Sequence, residues 1–345
     1  MKTLFLLHRS HGLNLLTTAL LLAAGTGFST DSVGITSCYA AGETDVTKVD
    51  DDFALQGEYR GEVTIEEGKI PVGAQVIARG KGKFRLVGYP LGLPGEGWDS
   101  TRKHEVEGSR TGDQVTFQGE EFTGILTAAG ITVTNSDGNK IGELKRVIRK
   151  SPTLGTQPPE GAVVLFDEKG TNRFPGSKIS PEGWLMQGAT SEPTFDDFSL
   201  HLEFMLSYAP DKQGQGRSNS GLYLQGRYEV QILDSFGLEG KDNECGGIYT
   251  VSAPAVNMCF PPLQWQTYDV DFTAARFDET GKKLEDAKVT IRHNGTLIHK
   301  EIKVPKATTA APLPVKPTPG PIFLQDHGDQ VRFRNIWVLP KSSTR

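Results

Sequence analysis

Apolar residues recur at every second position through most of this chain, and beyond residue 160 no segment sustains the 3.6-residue period of a helix. From Asp197 to Leu206 the apolar set is Phe198, Leu200, Leu202, Phe204 and Leu206, with Ser199, His201 and Glu203 between them. Thr267 to Phe272 sets Tyr268, Val270 and Phe272 against Thr267, Asp269 and Asp271. Val289 to His293 runs into Asn294-Gly295, a two-residue hairpin signal, before Leu297 to Ile302. A period of two gives each strand one apolar and one polar face. Many such strands imply two packed sheets, and the expected fold is all-β, a jelly-roll β-sandwich preceded by a smaller antiparallel β-domain.

The division follows from punctuation. With 345 residues, 40 Gly, 20 Pro and a hydrophobic fraction of 37%, the chain suits a turn-dense protein of about two domains. Ser151 to Glu160 (SPTLGTQPPE) interrupts the strand patterns on either side and reads as a proline-rich linker over 151–160. Before it, 52–150 alternates in Gly73 to Arg79, Lys83 to Tyr89, Gln114 to Phe117 and Gly130 to Thr134, with glycine-rich turns between. Trp98 lies in a long turn, where anchoring the loop or stacking on a sugar are both open. After the linker, 161–340 is the sandwich. Lys306 to Pro321 is so rich in proline that an extended surface loop is expected there.

A formal charge of −5 gives no electrostatic reason to expect nucleic acid or an anionic membrane surface as partner, and a neutral ligand fits better. Lys2 and Arg9 precede an apolar run, Leu13 to Ala24, too short to span a bilayer, so residues 1–40 read as a signal peptide and the protein as exported to the periplasm or outside the cell. A lipoprotein box ending in Cys38 is the less favoured alternative. Export implies an oxidising compartment, where Cys245 and Cys259 are expected to form a disulfide.

The most reactive stretch is Gly221 to Asp234, GLYLQGRYEVQILD. Read as one strand, it points Leu222, Leu224, Val230 and Ile232 into the core and Tyr223, Gln225, Arg227, Glu229 and Gln231 the other way. A β-bulge near Leu233 would bring Asp234 to the face of Glu229. The segment resembles the Glu-x-Asp-x-x-Glu strand of laminarinase-like retaining glucanases, with Gln231 and Asp234 substituted, which places ordinary double displacement in doubt. Asn219 and Ser220 approach this strand through a Gly-rich turn. Gln325-Asp326-His327-Gly328-Asp329 falls between two apolar runs, and His327 there suits a base or a turn residue.

Five blocks in order, Asn219–Gly237 (NSGLYLQGRYEVQILDSFG), Glu244–Pro254 (ECGGIYTVSAP), Trp265–Phe272 (WQTYDVDF), Arg292–Gly295 (RHNG) and Leu324–Val338 (LQDHGDQVRFRNIWV), resemble the 3-keto-disaccharide hydrolase family. The resemblance covers about Gly161 to Pro340 and leaves the N-terminal domain outside it. It implies a concanavalin-like lectin/glucanase sandwich, exported by bacteria, acting on sugars already oxidised at C3, with a sugar 3-dehydrogenase upstream.

A C3 ketone acidifies the C2 proton, so the C1 substituent can leave by β-elimination and water can add to the enone, for net hydrolysis. That needs a base, a donor for the enolate oxygen and an acid. By residue chemistry the base is Glu229 or His327, the enolate stabiliser Arg227, and Asp234 the acid or orienting carboxylate. Tyr223, Gln231, Asn219 and Gln325 would bind substrate. No cofactor is required; a divalent cation on Asp326, Asp329, His327 and Glu229 lacks ligand spacing. Two alternatives stay open: a non-catalytic carbohydrate-binding module, with Tyr223 and Tyr249 as stacking platform, and a conventional retaining glucanase.

Overall fold

The computed structural model describes residues 42–342; the proposed signal peptide and Cys38 lie outside the described residues. Every regular element among the described residues is a β-strand, apart from one short 3₁₀ turn at Gly214–Gly216. No helix among them is long and apolar enough to cross a membrane.

The first eight strands, from Gly57–Ile65 to Lys140–Val147, each pair antiparallel with the next, and the first closes onto the last through Glu58 opposite Val147 and Gly61 opposite Leu144. The result is a closed up-and-down barrel, which leaves no free sheet edge. Tyr59, Val76, Phe84, Phe117 and Leu126 fill its interior. Gly68–Ala78 and Lys83–Pro90 are apolar on their outer face too, because Ile77, Val87 and Tyr89 belong to the core of the sandwich. Ile77 reaches over Gly237, where an added Cβ would lie 2.4 Å from its Cδ1. Arg149 holds the joint from the other side: its Nε donates to Glu58 Oε2 at 2.7 Å and its guanidinium lies over the Phe260 ring at 5.2 Å. Trp98 is a loop anchor, donating from Nε1 to the Arg102 carbonyl and packing edge-on against Tyr89.

The remaining strands form a seven-stranded and a four-stranded sheet packed face to face, with a separate two-stranded ribbon of Arg276–Phe277 and Lys283–Glu285. In the larger sheet Phe198–Met205 lies between Trp265–Thr273 and Arg332–Pro340, and Ala287–His293 and Thr296–Val304 continue it. The Asn294-Gly295 hairpin forms as its sequence signals, both residues having positive φ (50° and 78°). The smaller sheet is ordered Ala189–Phe195, Gly320–Leu324, Ser220–Leu224, Tyr228–Ile232. Phe198, Leu200, Leu202 and Phe204 from one sheet meet Leu222, Leu224, Val230 and Ile232 from the other, all 2% exposed or less.

The proline-rich segment 151–160 does not hang free. Ser151 Oγ lies 2.6 Å from Thr267 Oγ1, Thr153 Oγ1 donates to Asp269 Oδ2 at 2.7 Å, and the Gly155 N–H donates to Glu203 Oε1 at 2.6 Å. The segment thus lies along the outer face of the larger sheet. It covers His201 and Glu203, which are as buried as the core although they point away from it.

Candidate active site

Gly221 to Asp234 is two strands joined by a tight turn, where its alternation suggests one. Ser220–Leu224 and Tyr228–Ile232 pair antiparallel, and Gln225 and Gly226 take positive φ (54° and 64°) while the Arg227 N–H closes the turn onto the Leu224 carbonyl at 3.0 Å. The face assignment nevertheless holds for the paired residues. Tyr223 stands opposite Glu229, Gly221 opposite Gln231 and Leu222 opposite Val230, so odd-numbered positions meet odd ones across the hairpin. Gly320–Leu324 pairs alongside and carries the chain to Gln325, whose N–H donates to the Gly221 carbonyl at 2.9 Å.

Glu229 is the centre of this face. It is 3% exposed, and the Tyr223 hydroxyl, 2.9 Å from Oε2, gives its carboxylate its one side-chain hydrogen bond among the described residues. Burial pushes the Glu229 carboxyl up to about 7, and the bond from Tyr223 pulls the other way. Burial, with the charge of Glu229 beside it, pushes the Tyr223 hydroxyl well above its ordinary range. Gln325 Nε2 sits 3.3 Å from the same hydroxyl, giving the chain Gln325, Tyr223, Glu229. Gly221 makes the room: a Cβ there would lie 2.4 Å from Glu229 Oε1.

The loop after Val304 is a strap over this face. Thr308 Oγ1 accepts the Glu229 N–H at 2.9 Å, and the Tyr223 hydroxyl also lies 3.0 Å from the Thr309 carbonyl. Arg227, assigned from sequence to an enolate, has different partners. Its Nε donates to the Pro314 carbonyl, Nη1 to the Thr318 carbonyl and Gln225 Oε1, and Nη2 to Thr318 Oγ1. It pins the strap and makes no bond to Glu229. Nothing in the order of prolines, read alone, signals that pinning.

Gln231 and Asn219 meet through a residue that sequence analysis passed over, Gln215. Its Oε1 accepts from Gln231 Nε2 at 3.1 Å and from Asn219 Nδ2 at 3.1 Å. Asn219 is 1% exposed, and its Oδ1 has no hydrogen-bond partner among the described residues. Asp234 departs from expectation. The regular strand ends at Ile232, the Ser235 N–H turns back to the Leu233 carbonyl, and Asp234 Oδ2 accepts from Arg217 Nε at 2.7 Å. A buried ion pair with Arg217, another residue sequence analysis missed, replaces the expected bulge and the pairing with Glu229.

His327 is exposed in the loop two residues beyond Gln325 and takes no part in the hydrogen-bonded chain of Gln325, Tyr223 and Glu229. Cys245 and Cys259 are free, buried thiols and not a disulfide; Cys245 Sγ lies 3.2 Å from the Tyr268 hydroxyl, and Cys259 Sγ points to the Leu233 and Phe260 carbonyls. Both sit in the apolar core between the sheets, as neighbouring thiols that interact with each other without a covalent bond. Among the described residues no group of three or more His, Cys, Asp and Glu side chains is arranged to hold a metal ion.

The chain's similarity to known proteins runs through this hairpin. The family described as the 3-keto-alpha-glucoside-1,2-lyase-like domain matches residues 96–339 of 345. The chain belongs to this family. The match begins at Glu96, inside the barrel, well before the Gly161 expected from the sequence blocks. Two crystal structures from Parabacteroides distasonis ATCC 8503, each described as of "a putative glycosyl hydrolase", are similar to part of the chain. One is 31% identical over 53% of this chain and 85% of its own, with a TM-score of 0.47. The other is 18% identical over 53% and 95%, with a TM-score of 0.38. No curated protein matches. Membership of the family supports a glycosidase-type function.

Proposed function

We propose that this protein cleaves 3-keto-glycosides by elimination followed by hydration, with Glu229 as the base. The observation that carries this is a nearly fully buried carboxyl, held near pH 7 and bonded to one neutral phenol, on the hairpin that bears the longest family block. A group in that range is charged often enough to accept a proton and protonated often enough to return it. In the proposed step the Glu229 carboxylate takes the C2 proton, made acidic by the C3 ketone. The C–H electrons form the enolate, then re-form the ketone as the C1–O bond breaks. The aglycone leaves with a proton from an acid, and water adds across the resulting double bond. Gln325 Nε2 is the neutral donor assigned to the enolate oxygen, and Tyr223, whose one proton is directed to Glu229 Oε2, orients the base. The strap at Thr308 and Thr309 must give way for a sugar to reach Glu229, which makes Arg227 a positioning residue.

Double displacement fits less well. It calls for two carboxyl groups roughly 5–5.5 Å apart across the bond, whereas Gln231 occupies the middle position and Asp234 is held by Arg217. Export, a carbohydrate substrate and an upstream dehydrogenase belong to the same proposal.

Turnover of a panel of 3-keto glucosides beside their unoxidised parents tests it, following aglycone release and exchange of the C2 proton in wild type and Glu229→Gln. Release from keto substrates alone, lost with exchange in the variant, is the expected result. Binding without release from any keto sugar would overturn it in favour of a carbohydrate-binding module. Release from unoxidised β-glucans would overturn it in favour of a glucanase.

A further inference from the structure

None of the residues assigned to that chemistry lies in the barrel, whose interior is filled at one end and hollow at the other. Toward one end Tyr59, Val76, Phe84 and Leu126 are buried and packed. Toward the other, formed by the turns after Ile65, Pro90, Gln118 and Asn135, there is a cavity of about 180 Å³. Val63, Val72, Phe117, Ile131, Val133 and Ile141 are among the residues that line it. The hollow exists because three inward positions are small: Ala74, Gly88 and Gly124. The backbone does not require glycine at the last two, since neither adopts positive φ. Nor do neighbours exclude a side chain. A Cβ on Gly124 would meet Ile131 at 3.6 Å and Phe117 at 3.7 Å, and one on Gly88 would meet nothing closer than 3.8 Å, all ordinary contacts. The missing side chains therefore leave space that the fold itself does not demand.

An eight-stranded barrel is just wide enough to be filled by side chains or to hold one small ligand. Here the lining settles the ligand's chemistry. The Tyr89 side chain points to the outer face, where its hydroxyl is bonded to Gln75 Oε1 at 2.8 Å, Glu121 is exposed, and His104 lies edge-on to Phe122 with ring centroids 5.6 Å apart. No buried charge faces the cavity, so a charged occupant would be desolvated without a partner. Volume settles the size: a dry apolar cavity of about 150 Å³ takes benzene. We infer that the barrel is a binding site for a small uncharged molecule with a single aromatic ring. Two fused rings would have to pack the space at crystal-like density with no room to adjust, and an extended acyl chain is too long for it.

The full chain, titrated with benzene, phenol and benzyl alcohol by calorimetry and by methyl NMR, tests this independently of any keto sugar. Saturable binding is expected, with ligand contacts to the methyls of Val133 and Ile141 in the wild-type protein. Gly124→Val, which places methyls inside the cavity, should weaken it at least about tenfold, as should Gly88→Val. Circular dichroism reports whether each variant is folded, and the wild-type methyl contacts decide the matter if neither is. The inference is overturned by no saturable arene binding, by contacts elsewhere, by undiminished binding in both folded variants, or by naphthalene or decanoate binding as tightly as benzene.

Discussion

Two glutamates, one on each sheet, are equally buried and chemically opposite. Glu203, on the outer face of the larger sheet, is 1% exposed, and Glu229, on the outer face of the smaller one, 3%. Burial pushes both carboxyls upward. Around Glu203 that push is overcome: the Asn335 amide, the Gly155 N–H and Arg334 Nε donate to it, and with the His201 ring 3.6 Å away they bring it down to about 2. His201 is in turn fixed by Asp269 at 2.6 Å and stacked on Trp337. Burial alone would lower His201, but its bond to Asp269 and the nearby carboxylate of Glu203 raise it. Glu229 has one neutral donor and stays near 7. The number and charge of hydrogen-bond donors, not depth, separates a carboxylate that holds the chain together from one poised to move a proton.

The contrast is broken most severely at Glu229. Glu229→Gln should lower kcat/KM for a keto glycoside about a hundred- to ten-thousand-fold without unfolding the protein. Its effect on stability should depend on pH. A raised carboxyl contributes its stability in full below its unfolded value of 4.5 and loses it as pH rises through about 7. Wild type should therefore give up about 3 kcal/mol from this group by pH 8, and the Gln variant should not. Denaturant melts of both proteins at pH 5 and pH 8 measure the difference; parallel curves would refute it.

Glu203→Ala should show the reverse pattern, unfolding more easily by about 3 kcal/mol near neutral pH because Arg334 loses its partner, with activity per folded molecule unchanged. Its depressed carboxyl gives stability present above 4.5 and lost as pH falls toward about 2, so the variant should have a flatter acid limb. Equal loss of turnover in both variants would mean that the two faces are not separate.

Gly221→Ala probes the space around Glu229 Oε1 and should destabilise by about 1–3 kcal/mol, read from chemical denaturation, with kcat falling more than KM rises. The mildest change is Tyr223→Phe. It removes the donor that lowers Glu229, so the ascending limb of the pH–rate profile should move to higher pH, with about 1 kcal/mol of stability lost. An unmoved limb would show that Tyr223 does not set the carboxyl.

Much of this was legible in the sequence because a period of two survives folding. The strand patterns around Phe198, Val270 and Val289 and the Asn294-Gly295 turn all appear where alternation places them. The Gly221–Asp234 segment was legible in its faces but not in its path. A hairpin that pairs Tyr223 with Glu229 keeps odd positions with odd, so the pattern runs unbroken through a reversal of direction. Gln225-Gly226 was the available signal, a weaker turn pair than Asn-Gly. Arg227 on the strap and Asp234 on Arg217 depend on partners distant in the chain, and neither spacing nor residue type encodes such partners.

The barrel wall shared with the sandwich bears on how the chain can be divided. Ile77, Val87 and Tyr89 are outer residues of one unit and core residues of the other. A recombinant fragment starting after the 151–160 segment would turn that buried contact into an open apolar patch, with the notch at Gly237 empty. Such a fragment is expected to stick to itself or to other proteins, so poor behaviour of an isolated sandwich would reflect a cut through a core and say nothing about the chemistry of its site.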